Sequence, residues 1–172
     1  SRLTETREGQ MKGKIRYMSG GQTPVTMVIR TSAGAGRGFG AQHSELLEAW
    51  MIHTPGIKVA MPSTPADAKG LLKSAIRDDN PVIFMEDKMM YNQKGPIPDG
   101  DYTIPLGKAR VHREGRHAVV ICTSSMLYPA LEAADTLTKG GIEIMVIDPR
   151  TLSPLDTDTL IQAAKETGHV LI

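Results

Sequence analysis

The sequence predicts an α/β protein containing parts of two parallel-sheet domains, and three observations carry that prediction. Short β-branched runs alternate with amphipathic stretches over brief connections, the pattern of parallel strands joined by right-handed crossover helices. The apolar residues are chiefly Ile, Val, Leu, Ala and ten Met, with aromatics at 4%, a core that suits α/β layers better than a sandwich. Seventeen Gly and 11 Pro cut the chain into many tight loops.

The elements follow in order. Thr26–Arg30 (TMVIR) reads as a buried strand ending at a Gly-rich stretch. Ser44–Thr54 places Leu46, Leu47, Trp50 and Met51 at helical spacing, and Pro55-Gly56 stops it. Ile57–Met61 is the next strand. Thr64 as N-cap, Pro65 at the first helical position and Asp67 in the capping box then open a helix. Its apolar stripe is Ala68, Leu71, Leu72, Ala75 and Ile76, and it ends near Asp78–Asn80, before the strand Val82–Met85. Tyr91–Pro105 has two Gly, three Pro and no apolar periodicity, so it reads as a linker. Beyond it come the strand Ala118–Cys122, the helix Met126–Lys139 stopped by Gly140-Gly141, and the strand Ile142–Ile147. The helix Asp156–Thr167, capped by Asp156, and the start of a strand at Val170–Ile172 complete the pattern. The expected division is 1–91, a linker over 92–105, and 106–172. A sheet face at each end of the pattern lacks a covering helix, so 172 residues read as parts of two domains rather than one whole one.

Composition excludes several classes. Twenty Lys+Arg against 19 Asp+Glu leave a charge of +1, without the basic excess that a phosphate backbone requires, so no nucleic acid is expected. No apolar run approaches the ~18–20 residues of a membrane span, and Ser1–Gln10 is polar, so neither membrane nor targeting peptide is expected. A single Cys122 excludes an internal disulfide framework and a multi-cysteine zinc site.

Candidate sites are few. Gly36-Arg-Gly-Phe-Gly-Ala41 formally fits G-x-G-x-x-A, a dinucleotide fingerprint, although five residues separate it from Arg30 and no acidic residue ends the second strand. A surface loop and an active-site loop delivering His43 are the alternatives. No G-K-[ST] follows a Gly-rich run. His43 stands at the expected start of a helix, where an imidazole can exchange a proton near neutrality; Ser44 beside it reads as a cap. His53, His112, His117 and His169 fall at element edges and read as surface residues. The carboxylates at the helix end, Asp78-Asp79, face an unfavourable dipole. A cation held by carbonyls and a carboxylate would compensate, as would a solvated turn with Arg77 as partner. Met51, Met61 and Met90 read equally as pocket or core.

Several segments occur together and in order: Arg16-Tyr-Met-Ser-Gly-Gly-Gln22, Ala41-Gln-His-Ser44, Asp67-Ala-Lys-Gly-Leu-Leu-Lys-Ser-Ala-Ile-Arg-Asp78, Asn80-Pro-Val82, Pro105-Leu-Gly-Lys-Ala109 and Ile147-Asp-Pro-Arg-Thr-Leu152, with Pro154-Leu-Asp156. From Lys14 to Ile172 the chain resembles the beta subunit of thiamine-diphosphate-dependent 2-oxo acid dehydrogenases of the pyruvate, acetoin or branched-chain type. The resemblance implies a pyrimidine-binding domain followed by a transketolase C-terminal-like domain. It implies oxidative decarboxylation of a 2-oxo acid with acyl transfer to lipoamide, in an α2β2 heterotetramer serving a lipoyl-bearing acyltransferase core. Thiamine diphosphate would be shared with an alpha subunit that carries the magnesium, in a bacterial cytoplasm or a mitochondrial matrix. His43 would be the catalytic proton donor or hydrogen-bond donor, and Met27, Ala75, Ile76, Asp78 and Asn80 would hold a potassium ion.

The resemblance also has gaps. No residue matches the family glutamate that contacts the cofactor pyrimidine, so turnover by the chain alone is not expected. A non-catalytic assembly fragment and a nicotinamide-binding module remain the alternatives.

Overall fold

The computed structural model describes residues 13–36, 38 and 40–172; Arg37, Phe39 and the side chain of His43 lie outside that description. A first sheet is assembled from β1 (Val28–Ala33), β2 (Lys58–Ala60), β3 (Val82–Asp87) and β7 (Thr151–Ser153) in the order β1-β3-β2-β7. A second contains β4 (Arg110–Arg113), β5 (Ala118–Ile121), β6 (Ile144–Asp148) and β8 (Val170–Leu171) in the order β4-β6-β5-β8. The chain is α/β as expected, with β1, β3 and β2 mutually parallel and β5 parallel to both β6 and β8.

Each sheet carries an antiparallel edge strand beside its parallel ladder. β7 pairs antiparallel with β2 through Val59–Ser153 and Ala60–Thr151, and β4 pairs antiparallel with β6 through a register shift between Val111 and Arg113. Neither edge strand had been expected. The β4 sequence RVHR lacks a continuous apolar run, and β7 is three residues held between Arg150 and Pro154.

The helices are α1 (Glu48–Ile52), α2 (Pro65–Ile76), α3 (Leu127–Thr138) and α4 (Thr157–Thr167). Three of them fall where periodicity places them. Thr64 caps α2 by accepting from the Asp67 N–H at 3.1 Å, and Asp156 caps α4 by accepting from the Thr159 N–H at 3.5 Å and its hydroxyl at 2.9 Å. The expected helix over Ser44–Thr54 is corrected to the five residues of α1. Leu46 and Trp50 remain more than half exposed, so no burial supports the earlier turns of the stripe. Ile76 is likewise exposed, outside the α2 stripe it was assigned to.

Strand alternation divides the first core. Ala33, Ile57, Val59, Met61, Ile83 and Met85 pack on one face of the sheet, which makes Met61 a core residue. Ala60, Val82 and Phe84 meet Leu71 and Ala75 of α2 on the other. The segment over 92–105 has no regular structure, yet it is strapped along α2. Tyr102 donates to the Ala66 carbonyl at 2.8 Å, Ser74 to the Ile104 carbonyl at 2.5 Å, and Lys69 to the Pro98 carbonyl at 3.1 Å. Gly70 permits this approach, since a Cβ there would stand 2.7–2.8 Å from Ile104 and Tyr102 atoms.

Candidate functional site

In parallel sheets the carboxyl ends of the strands form the crevice in which ligands bind. Here β1 ends at Ala33 and runs into Gly34, whose φ of +95° only glycine adopts readily. A Cβ at Gly34 would also lie 2.7 Å from Asp87 Oδ1, at the end of neighbouring β3. The loop continues to a short 3-10 turn, Ala41–His43, closed by the Ser44 hydroxyl donating to the Gly40 carbonyl at 2.8 Å. His43 is thereby carried at the carboxyl end of β1, and its imidazole lies outside the described residues. Ser44 closes this turn rather than capping a helix.

The dinucleotide reading does not survive this geometry. Gly36–Ala41 leads into the 3-10 turn, and α1 begins only at Glu48, so no helix N-terminus stands at the end of the fingerprint. Beside the loop a cavity of about 480 Å³ opens between Ile29, Thr31, Trp50, Met51, Ile83 and Met85. Two carboxylates at the end of β3 are already engaged. Asp87 accepts from the Met89 N–H at 2.8 Å and the Ser125 hydroxyl at 2.6 Å, while Glu86 takes Arg30 at 2.9 Å and Tyr91 at 3.2 Å.

Four of the five residues expected to hold an ion, Ala75, Ile76, Asp78 and Asn80, lie at the end of α2 and in the turn after it. Met27 precedes β1, and its carbonyl accepts from the Val82 N–H at 2.9 Å; the Ala75 carbonyl accepts from the Asp78 N–H at 3.3 Å. Asp78 Oδ1 receives the Asn80 backbone N–H at 2.8 Å and its amide at 2.9 Å. The cation beside Asp78 Oδ2 is Lys58, at 2.5 Å, and not Arg77, which pairs with Asp101. Burial pulls the Asp78 carboxyl up, and the Lys58 and Asn80 donors more than offset it, holding the group below the ordinary carboxylate range.

A buried polar seam joins the carboxyl ends of the two sheets, and sequence reasoning missed it. The Ser124 N–H donates to the Ser63 hydroxyl at 2.8 Å, and Tyr128 donates to the Ser63 carbonyl at 3.2 Å. Arg150 follows β6, and its guanidinium reaches Asp67 at 3.3 Å and the carbonyls of Lys108 and Ala109 at 2.9 and 3.3 Å. Its N–H closes on Asp148 Oδ1 at 2.8 Å. His112, expected at the surface, is nine-tenths buried with Nε2 3.9 Å from Asp148 Oδ2. Burial pushes the Asp148 carboxyl up to about 6, and burial with the nearby Arg110 guanidinium lowers His112. The available signal was a carboxylate directly after an apolar strand, followed by Pro and Arg.

Comparison with known proteins fits this architecture. The family described as "Transketolase, pyrimidine binding domain" matches residues 10–94, and "Transketolase, C-terminal domain" matches residues 107–172. The acetoin:2,6-dichlorophenolindophenol oxidoreductase subunit beta of Cupriavidus necator is 48% identical over 92% of this chain and 47% of its own. The pyruvate dehydrogenase E1 component subunit beta of Bacillus subtilis is 46% identical over 95% of this chain and 50% of its own. The mitochondrial human pyruvate dehydrogenase E1 component subunit beta is 44% identical over 92% and 45%. The chain thus spans about half the length of the curated relatives it matches. Among solved structures, a split-gene transketolase described as an inactive beta4 tetramer superposes with a TM-score of 0.73 at 27% identity, over 86% of this chain and 47% of that one. The two matched profiles take in most of the described fold, and the chain belongs to the transketolase-like family, with its near relatives among the beta subunits of pyruvate, acetoin and branched-chain 2-oxo acid dehydrogenases.

Proposed function

We propose that this chain supplies the beta-subunit side of a thiamine-dependent 2-oxo acid dehydrogenase, acting in oxidative decarboxylation with acyl transfer to lipoamide. One observation carries the reading: identity of 44–48% to beta subunits with different substrates extends over 92–95% of the chain. Acetoin, pyruvate and 2-oxoisovalerate enzymes match at 46–48%, so the identity does not choose among the substrates. The proposed division keeps 1–91 as the pyrimidine-binding part, 92–105 as the strap and 106–172 as the C-terminal-like part. The partners proposed are an alpha subunit in an α2β2 assembly, carrying the magnesium, and a lipoyl-bearing acyltransferase core.

Thiamine diphosphate would supply a carbanion-stabilising centre for decarboxylation. Among the described residues, Asp87 and Glu86 at the crevice are committed to protein donors, so neither fits as the carboxylate partner of the pyrimidine. What this chain brings is the loop Gly34–Gly40 and the turn that sets His43 at the carboxyl end of β1, as a proton donor or hydrogen-bond donor toward the 2-oxo acid. The test is lipoyl acylation from pyruvate, acetoin and branched-chain 2-oxo acids by the gene product carrying this sequence, purified with an alpha subunit. Acylation from one of them is the expected result. Absence of acylation together with absence of thiamine diphosphate binding would favour the assembly-fragment reading.

A potassium ion belongs to the same proposal. Carbonyls of Met27, Ala75 and Ile76 with Asp78 and Asn80 form an oxygen-rich donor set suited to a hard cation, and a carbonyl that accepts one N–H retains a second lone pair. Replacing potassium by lithium at equal ionic strength should lower the melting temperature by ~5–11 °C, as expected for loss of a ligand at ~100 times its dissociation constant. An unchanged melting temperature would remove the ion from the account.

A further inference from the structure

Two buried atoms in the seam face each other without satisfaction. Among the described residues, neither His112 Nε2 nor Asp148 Oδ2 has a hydrogen-bond partner, and they stand 3.9 Å apart. That is too far for a direct bond, and leaving such buried groups unpaired is costly. A third donor completes the triangle: one carboxylate oxygen of Asp67, fully buried, lies within 4.8 Å of both.

The three come from separate, fixed elements. Asp67 sits in the first turn of α2, His112 on β4 and Asp148 at the end of β6. Each carboxylate is also held from behind. Thr64 donates to Asp67 Oδ2 at 2.5 Å, and the Arg150 N–H supports Asp148 Oδ1 at 2.8 Å, leaving Oδ2 aimed at His112. Metal-ligating carboxylates are oriented by outer hydrogen bonds of this kind.

We propose that Asp67, His112 and Asp148 bind one divalent transition ion, for which zinc is the natural probe, and that this ion clasps the two sheets at their seam. One imidazole and two carboxylates are a donor set that zinc and manganese accept. The two carboxylates balance the ion's charge. Arg150, 3.3 Å from Asp67 Oδ1, then serves as an outer partner of a ligand. Arg110, at 4.0 Å and half exposed, can swing toward solvent. Entry is through a cavity of about 520 Å³ that reaches His112 between Pro65, Arg110 and Tyr128.

The test uses the chelator-stripped chain at pH 7.5, titrated with zinc and, separately, with cobalt as a spectroscopic probe. The expected result is one ion per chain, a melting temperature raised by ~3–8 °C at saturation, and a shifted His112 ring resonance. His112→Ala and the near-isosteric Asp148→Asn should each weaken binding at least ~10-fold, while His169→Ala at the surface leaves it unchanged. Binding that survives both seam variants, or a His112 resonance unmoved by zinc in the wild-type chain, would overturn the proposal. So would Asp148→Asn raising stability with no zinc response in the wild type, because the pair would then be joined by a shared proton.

Discussion

At the scale of single residues, Lys58 and Asp78 show how a feature visible in the sequence acquires its partner only in three dimensions. Two acidic residues at a helix C-terminus are unfavourable against the dipole, and that conflict was legible. The compensating ammonium lies 20 residues upstream at the start of β2, where nothing in the local sequence marks it. Both side chains are mostly buried, at 29% and 15% exposure, so Lys58→Met should cost about 1–2 kcal/mol at neutral pH. The sign with pH follows from the lowered Asp78 value. Its stabilisation is present above the unfolded carboxyl value near ~4 and is lost as pH falls through the folded one. Urea melts of the two proteins should therefore differ at pH 7 and converge as the pH falls below the ordinary carboxylate range. A constant difference would mean that the pair contributes through packing alone. Asp156, with its Ala109 and Thr159 donors, behaves as its sequence position suggested; Asp156→Ala should cost ~1 kcal/mol in the same melts.

At the scale of elements, apolar periodicity found the helices that bury a face and overstated the one that does not. Leu71 and Ala75 of α2 disappear into the core, whereas Trp50 beside α1 remains half exposed. The segment over 92–105 reads as a linker in the sequence because Gly and Pro dominate it. Its order comes instead from hydrogen bonds exchanged with α2 in both directions, an interaction with no periodic signature. Gly70→Ala separates local from tertiary effects. Alanine gains ~1 kcal/mol of helix propensity, but its methyl group would press into Ile104 and Tyr102, so net destabilisation of about 1–3 kcal/mol is expected. A more stable variant in chemical denaturation would show that the strap rides loosely on α2. Gly115→Ala is a harsher case, since its Cβ would lie 2.2–2.3 Å from backbone atoms of Ile144 and Met145.

At the scale of the whole molecule, the two sheets are tied by exchange as well as by contact. β7 comes from the second half of the chain and completes the edge of the first sheet, and Arg150 reaches back 83 residues to Asp67. The two-sheet architecture was legible because each strand and helix carries its own pattern. The seam was not, because one buried His and two buried Asp look like surface residues until the elements that carry them meet. This construction should make unfolding cooperative. Fluorescence of the single Trp50 in the first half and far-UV circular dichroism should give coincident denaturation curves; two separated transitions would mean that the sheets fold independently.

The proposed role of His43, carried by its loop to the carboxyl end of β1, is tested most directly by single-turnover acylation of the lipoyl group. With the protein assembled on the proposed alpha subunit, His43→Ala should slow that step at least ~10-fold while leaving the melting temperature unchanged. A loss below ~threefold, under ~0.7 kcal/mol on the transition-state scale, would return His43 to a structural role and contradict the assignment.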